Sequence, residues 1–323
     1  MRRIDRTCLA TMQSPIRHLM ENHVAGSVFT IAPERIAEFD VSLDNFDLIF
    51  TNERPWKFCV DPKTREIFLS RGAIELIWCA SLAHFLFYTR LIQGKKFDQP
   101  VEIDPNSDER VSNALKLLRW AIKCQLDGDT GDNWPPNLPT PEKVPVKESD
   151  ENVADELCLV TCAFLLHHEL AHLRAGHAAF TKQQLQDPTN AALSVAQEKE
   201  ADIEAAEWVL AGIDVESPMF VKRMLGCVHG FLLATAMGFY GWGLGGKTHP
   251  YSYDRLTSLL KRLLGNDPHV TKGFAFAVLD LHFQNSGRAL KKQVFADPEE
   301  ALEALCDQLA DEVHGSDTGT DRK

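Results

Sequence analysis

From Met224 to Gly246 the chain runs 23 residues without a formally charged side chain. A stretch of that length either crosses a bilayer or forms a helix at the centre of a sizeable core. Seven glycines and His229 dilute its apolar character, which favours the buried helix. A second apolar run, Ala73 to Ile92, is interrupted by Glu75 and Arg90 and is a weaker candidate for spanning a membrane. The 323 residues, 44% of them hydrophobic and 25% charged, can bury such helices in one large domain or two modest ones. A net charge of -12 argues against a nucleic-acid partner, since a polyanion would be repelled. Eight cysteines include no CxxC pair, and the basic N-terminus is not followed by an uninterrupted apolar segment. No zinc ribbon or signal peptide is therefore expected, and free thiols in a cytoplasmic protein are.

The chain reads as α+β and predominantly helical, a small N-terminal sheet followed by a helical half. Residues 1–126 form the N-terminal α+β region. Strand-like segments there are Ser27–Ile31, Phe46–Phe50, Lys57–Val60 and Glu66–Leu69; the last two flank Asp61-Pro-Lys-Thr64, a good hairpin turn. Helical patterns cover about 71–91 and 108–126. Residues 127–150 hold five prolines and read as a connection. A helical core at 151–313 has candidate helices at 151–176, 194–212, 218–240, 252–265 and 298–313. Residues 314–323 are polar and expected to be a disordered tail.

The chemistry is concentrated in Phe164-Leu-Leu-His-His-Glu-Leu-Ala-His172. His168 and His172 are four apart, so on a helix both imidazoles reach one metal ion, and Glu169 lies beside them. The competing reading is a packed helix face that happens to carry two histidines. A catalytic zinc takes a third protein ligand. Downstream, Glu198-Lys-Glu-Ala-Asp202 places Glu198 and Asp202 on one helix face. Glu198 is the candidate third ligand, and Asp202 can fix the tautomer of a ligating imidazole. Glu200 and Glu204 fall off that face. His177 lies about 140° round from His172 unless the helix breaks at Gly176. Ala201, Ala205 and Ala206 would let the two helices approach closely. His84 and His229 read as satisfied core histidines, and Cys158 and Cys162 as small buried thiols. His167 points about 100° from His168. Trp134-Pro-Pro and Leu138–Pro141 read as a stiff connection, with a substrate groove as the alternative.

The pair HExxH plus ExxAD resembles the gluzincin metallopeptidases, in particular the CAAX prenyl protease and heat-shock membrane protease group. Thr248-His249-Pro250-Tyr-Ser-Tyr-Asp-Arg255 is similar to that group's His-Pro motif, with its Arg six residues on. The tandem His167-His168, the chain length and the lack of clear membrane spans look more like the phage-exclusion Lit peptidases. Those are bacterial enzymes that cleave elongation factor Tu during phage infection. The match covers roughly residues 160–260, and the gap of only 25 residues between His172 and Glu198 departs from the membrane group. The resemblance implies a zincin-like core with one Zn2+ per chain on His168, His172 and Glu198, and Glu169 as the base. Asp202, His249 and Arg255 match supporting positions. His249, Tyr251 and Tyr253 are candidates to steady an oxyanion; alternatively His249 begins a helix, and Arg255 braces Asp202. Expected partners are a protein or peptide substrate and an activating trigger. The alternatives are a zinc-containing binding or sensor protein and a membrane-associated metallopeptidase.

Overall fold

In a computed structural model of the chain, the residues described are 3–39, 45–98, 103–128, 133–141, 146–210, 212–242, 249–263, 269–291 and 294–317. Strand β1 (Arg3–Asp5) leads into two short helices, α1 (Arg17–Leu19) and α2 (Ala25–Thr30). β2 (Asp47–Thr51), β3 (Phe58–Asp61) and β4 (Glu66–Ser70) complete a four-stranded sheet of order β1-β2-β4-β3. β1 and β4 flank β2 in parallel, and β3 pairs antiparallel with β4 around the expected turn. β3 is thus an edge strand.

Ser27–Ile31 is a correction. Its β-branched and aromatic content suggests a strand, yet residues 25–30 are helical. Val24, Ala25 and Val28 turn to the core together, a helical spacing. The Ser27 hydroxyl donates to the Val24 carbonyl at 2.7 Å. Tertiary packing outweighs β propensity here.

The helical part begins with α3 (Arg71–Phe87), capped by the Ser70 hydroxyl, which accepts from the Ala73 amide. Glu75 lies inside it because Ser14, Arg54 and Arg71 surround the carboxylate. α4 (Glu109–Asp127) and α5 (Asp150–Ala175) follow, capped by Asp108 and Ser149. The Trp78 indole on α3 donates to Asp155 on α5 at 2.6 Å. The described parts of 128–149 carry no helix or strand, and Asp127 closes α4. Trp134 there packs against Trp78 and Trp120 and donates to the Pro139 carbonyl. It is fixed as structure rather than presented to a groove.

α6 (Pro188–Leu210) starts six residues before the expected 194, because Pro188 opens it and Asp187 accepts from the Thr189 amide. α7 (Pro218–Met237) packs on α5 so closely that a Cβ at Gly226 would lie 2.2 Å from Val160. Then come α8 (Ser252–Leu263), α9 (His269–Asn285) and α10 (Pro298–Asp317). α9 has no counterpart among the expected helices. Residues 274–279 are all buried, so no amphipathic stripe marks it. α10 reaches Asp317, so 314–317 are helical rather than a tail, and 318–323 lie outside the described residues. The long apolar helices 71–92 and 218–240 are 89% and 72% buried over their most apolar windows, inside the fold among α5 and α9.

His84, His229 and His282 meet between α3, α7 and α9 as a directed chain. The Thr161 hydroxyl donates to the Leu157 carbonyl at 2.8 Å, so its oxygen accepts from His229 Nδ1 at 3.0 Å. His229 Nε2 then accepts from His84 Nδ1 at 3.1 Å. His84 Nε2 accepts from His282 Nε2 at 2.8 Å, and His282 Nδ1 from the Tyr240 hydroxyl at 3.2 Å. Every imidazole donates once and accepts once, the requirement for a neutral ring in a dry core. Burial depresses all three pKa values, those of His229 and His282 to about 3.

Candidate metal centre and active site

α5 carries the HExxH segment through the middle of the fold, so His168 is 6% exposed and its rotamer is held by packing. Four residues on, His172 presents the same face, and the two Nε2 atoms lie 3.2 Å apart. α6 runs alongside, with Ala201, Ala205 and Ala206 fully buried. It brings the Glu198 carboxylate 3.4 Å from His168 Nε2 and 3.6 Å from His172 Nε2. One ligand atom from each of these three residues falls within 4.8 Å of the others.

Asp202, one turn beyond Glu198, lies 3.0 Å from His168 Nδ1. The contact has the distance of a hydrogen bond but not its angle. From α8, Arg255 grips Asp202 with two nitrogens, Nε at 2.7 Å, and passes 3.7 Å from Glu198. The face of Phe231 lies 5.2 Å from its guanidinium carbon. His249 stands at the rim, its side chain 56% exposed, with Nε2 3.5 Å from Glu198. Tyr253 is a correction to the oxyanion candidates: its side chain is buried in the core. Tyr251 stacks against it.

Two residues enter that the sequence did not assign. Val60 is the first. Ser70 and Arg65 amides bond the Lys57 and Asp61 carbonyls. Alternation along the strand therefore turns the amides of Phe58 and Val60 away from β4, to the open edge. The Val60 amide donates to Glu169 Oε2 at 2.9 Å. The second is His177. Gly176 adopts φ +65° and ends α5, and the chain folds back so that His177 reaches the ring of His172, not the metal-facing side. Its Nδ1 is 2.8 Å from His172 Nδ1. The helix break at Gly176 was the one signal available. Glu200 is 65% exposed and contacts His177, while Glu204 pairs with Arg174. His167 donates Nε2–H to the Val28 carbonyl and stacks on Trp208, outside the site.

The charges interlock. Burial opposes a cation at His168, but Asp202 and Glu198 outweigh it and raise the ring well above 6.5. Burial opposes ionisation of Glu198 and Asp202 too. His168 overcomes this at Glu198, and Arg255 with His168 at Asp202, holding both carboxyls low. Burial, with His168 alongside, pushes His172 down to about 4. Glu169 goes the other way: burial raises it to about 7, and neighbouring Glu198 adds to the effect. Two carboxyls thus share one pocket with opposite tendencies, Glu198 fixed as an anion and Glu169 poised near neutrality.

The donor set fits zinc. Two imidazole nitrogens and one carboxylate oxygen converge from one side, the composition of a catalytic rather than a closed structural site. Each ring also has a polar partner behind it, at Nδ1.

A family model described as peptidase U49 matches residues 67–275, well over half of the chain and every site residue except Val60. A cell death peptidase of Escherichia coli (strain K12) is 28% identical over 253 residues, covering 76% of this chain and 81% of that protein. No solved structure matches.

Proposed function

Since the chain belongs to the peptidase U49 family, we propose that its peptidase activity is zinc-dependent endoproteolysis, with His168, His172 and Glu198 as ligands and Glu169 as general base. The observation that carries this reading is the convergence of the three ligand atoms beside a carboxyl shifted to about 7. Zinc held there would supply Lewis acidity toward a scissile carbonyl and acidify water. Glu169 takes the proton from the attacking water and delivers it to the leaving amine, and a group titrating near neutrality suits both steps. Asp202 keeps His168 in the tautomer with Nε2 free, and Arg255 holds Asp202. His249, exposed at the rim, is the side chain placed to steady an oxyanion.

The outer edge of β3 offers a place for the substrate. With the Val60 N–H engaged by Glu169, an extended peptide added there would pair with the outward groups of Phe58, directly beside Glu169. Val60→Pro deletes one outward N–H at an edge position where proline costs no ladder bond. It is expected to lower kcat/KM by about 10- to 100-fold, the loss of a hydrogen bond to a charged group, with the fold intact by circular dichroism. Unchanged kcat/KM would remove β3 from the site.

The substrate we propose is a cytosolic protein, with elongation factor Tu the first to inspect on the strength of the motif resemblance. No disulfide links any of the eight cysteines, which suits a reducing compartment. Cleavage would be restrained until an activating partner binds. The test is incubation of the purified protein with extracts of phage-infected and uninfected bacteria, reading new chain termini by mass spectrometry. Discrete cleavage that stops with a chelator and returns with zinc is expected. Cleavage that persists through chelation would contradict the zinc-dependent reading.

A further inference from the structure

We infer that His177 is a positioning residue for the metal ligand His172, forming a relay that runs from the metal-facing nitrogen to the exposed carboxylate of Glu200. The inference rests on the zinc reading above. His172 Nε2 faces His168 and Glu198, so it must keep its lone pair, and the ring proton belongs on Nδ1. What stands at Nδ1 is His177 Nδ1, 2.8 Å away, which must accept. A neutral His177 then carries its own proton on Nε2, pointing to Glu200 Oε2 at 3.4 Å. The direction of each bond is fixed by the one before it. His168 has a carboxylate 3.0 Å behind its Nδ1; His172 has a second imidazole there instead.

The backbone around His177 is built to hold it. Gly176 takes the left-handed conformation that other residues resist. The His177 amide donates back to the His172 carbonyl at 3.0 Å. One residue on, the Gln197 side chain, with its amide turned to suit, accepts from the Ala178 amide at 3.0 Å and donates to the Ala178 carbonyl at 3.3 Å. Gln197 immediately precedes the ligand Glu198. The segment bearing His177 is thus clamped at both ends to the two helices that supply the ligands, and the ring is 8% exposed.

The test is zinc affinity, by competition with a chromophoric chelator, in wild type, His177→Ala, His177→Asn and Glu200→Ala. Loss of a partner behind a ligating imidazole weakens metal binding by about 10- to 100-fold, and that range is expected for His177→Ala. In His177→Asn the amide oxygen takes the place of Nδ1, so most of the affinity should return, which a merely space-filling role would not produce. Glu200→Ala, at an exposed position that cannot disturb folding, should show a smaller weakening of the same sign. Cobalt(II) in place of zinc should show a shifted visible band in His177→Ala that reverts in His177→Asn. Wild-type affinity in both His177→Ala and Glu200→Ala would overturn the relay while leaving the zinc site standing. Absence of zinc binding in wild type would overturn the site itself.

Discussion

Glu169→Gln is expected to lose peptidase activity by roughly 10²- to 10⁴-fold, the usual worth of a positioned acid–base group, while binding zinc as tightly as wild type. Gln keeps the shape and can still accept from Val60, but it cannot hold the water proton. The same change should make the metal-free protein more stable, because the active-site carboxyl is strained by burial. Its folded pKa, about 7, lies above the ordinary 4.5. The wild type therefore loses stability as pH rises from 4.5 through 7, and the full penalty is present above 7. Removing it should stabilise the metal-free variant at pH 8 by up to ~3 kcal/mol and leave the two proteins alike at pH 4. Urea midpoints at the two pH values measure this. Equal midpoints at pH 8 would place Glu169 in water, and wild-type activity would exclude it as the base.

Arg255→Met is expected to destabilise the metal-free protein by about 3–5 kcal/mol, because it removes one of the two cations that face Asp202 and Glu198 and leaves only His168 beside them. The guanidinium is 15% exposed, so water offers little replacement. Asp202 is held below its ordinary 3.8, with Arg255 the leading counterweight to burial. That stabilisation is complete above pH 3.8 and is lost as pH falls through the lower folded value. The gap between variant and wild type should therefore be full at neutral pH and close in acid. Zinc should narrow it as well, since a divalent cation bound at Glu198 stabilises whichever form binds it. Thermal unfolding of both proteins across pH, with and without zinc, reads the effect. A gap independent of pH would mean that Arg255 contributes by packing on Phe231 rather than by charge.

What could be read from the sequence follows from the range of each interaction. His168, Glu169 and His172 sit within five residues, and a single helical turn brings the two rings together. Glu198 and Asp202 repeat that spacing, so local periodicity was enough to nominate both pairs. The hairpin of β3 and β4 was legible from its turn, and the predominantly helical α+β class from periodicity. Elements set by tertiary environment were not. Residues 25–30 are helical because Val24, Ala25 and Val28 face one core, against their own propensity. α9 is buried all round and shows no stripe. Val60 joins the site only because β3 is an edge, a property of sheet order rather than of any motif. His177 depends on one left-handed glycine that swings it behind His172.

The most direct test of the account is the zinc content of purified wild type beside His172→Ala and Glu198→Ala, by elemental analysis after dialysis. One zinc per chain is expected in wild type and little or none in either variant. Zinc retained at full occupancy in Glu198→Ala, or none in correctly folded wild type after supplementation, would contradict it.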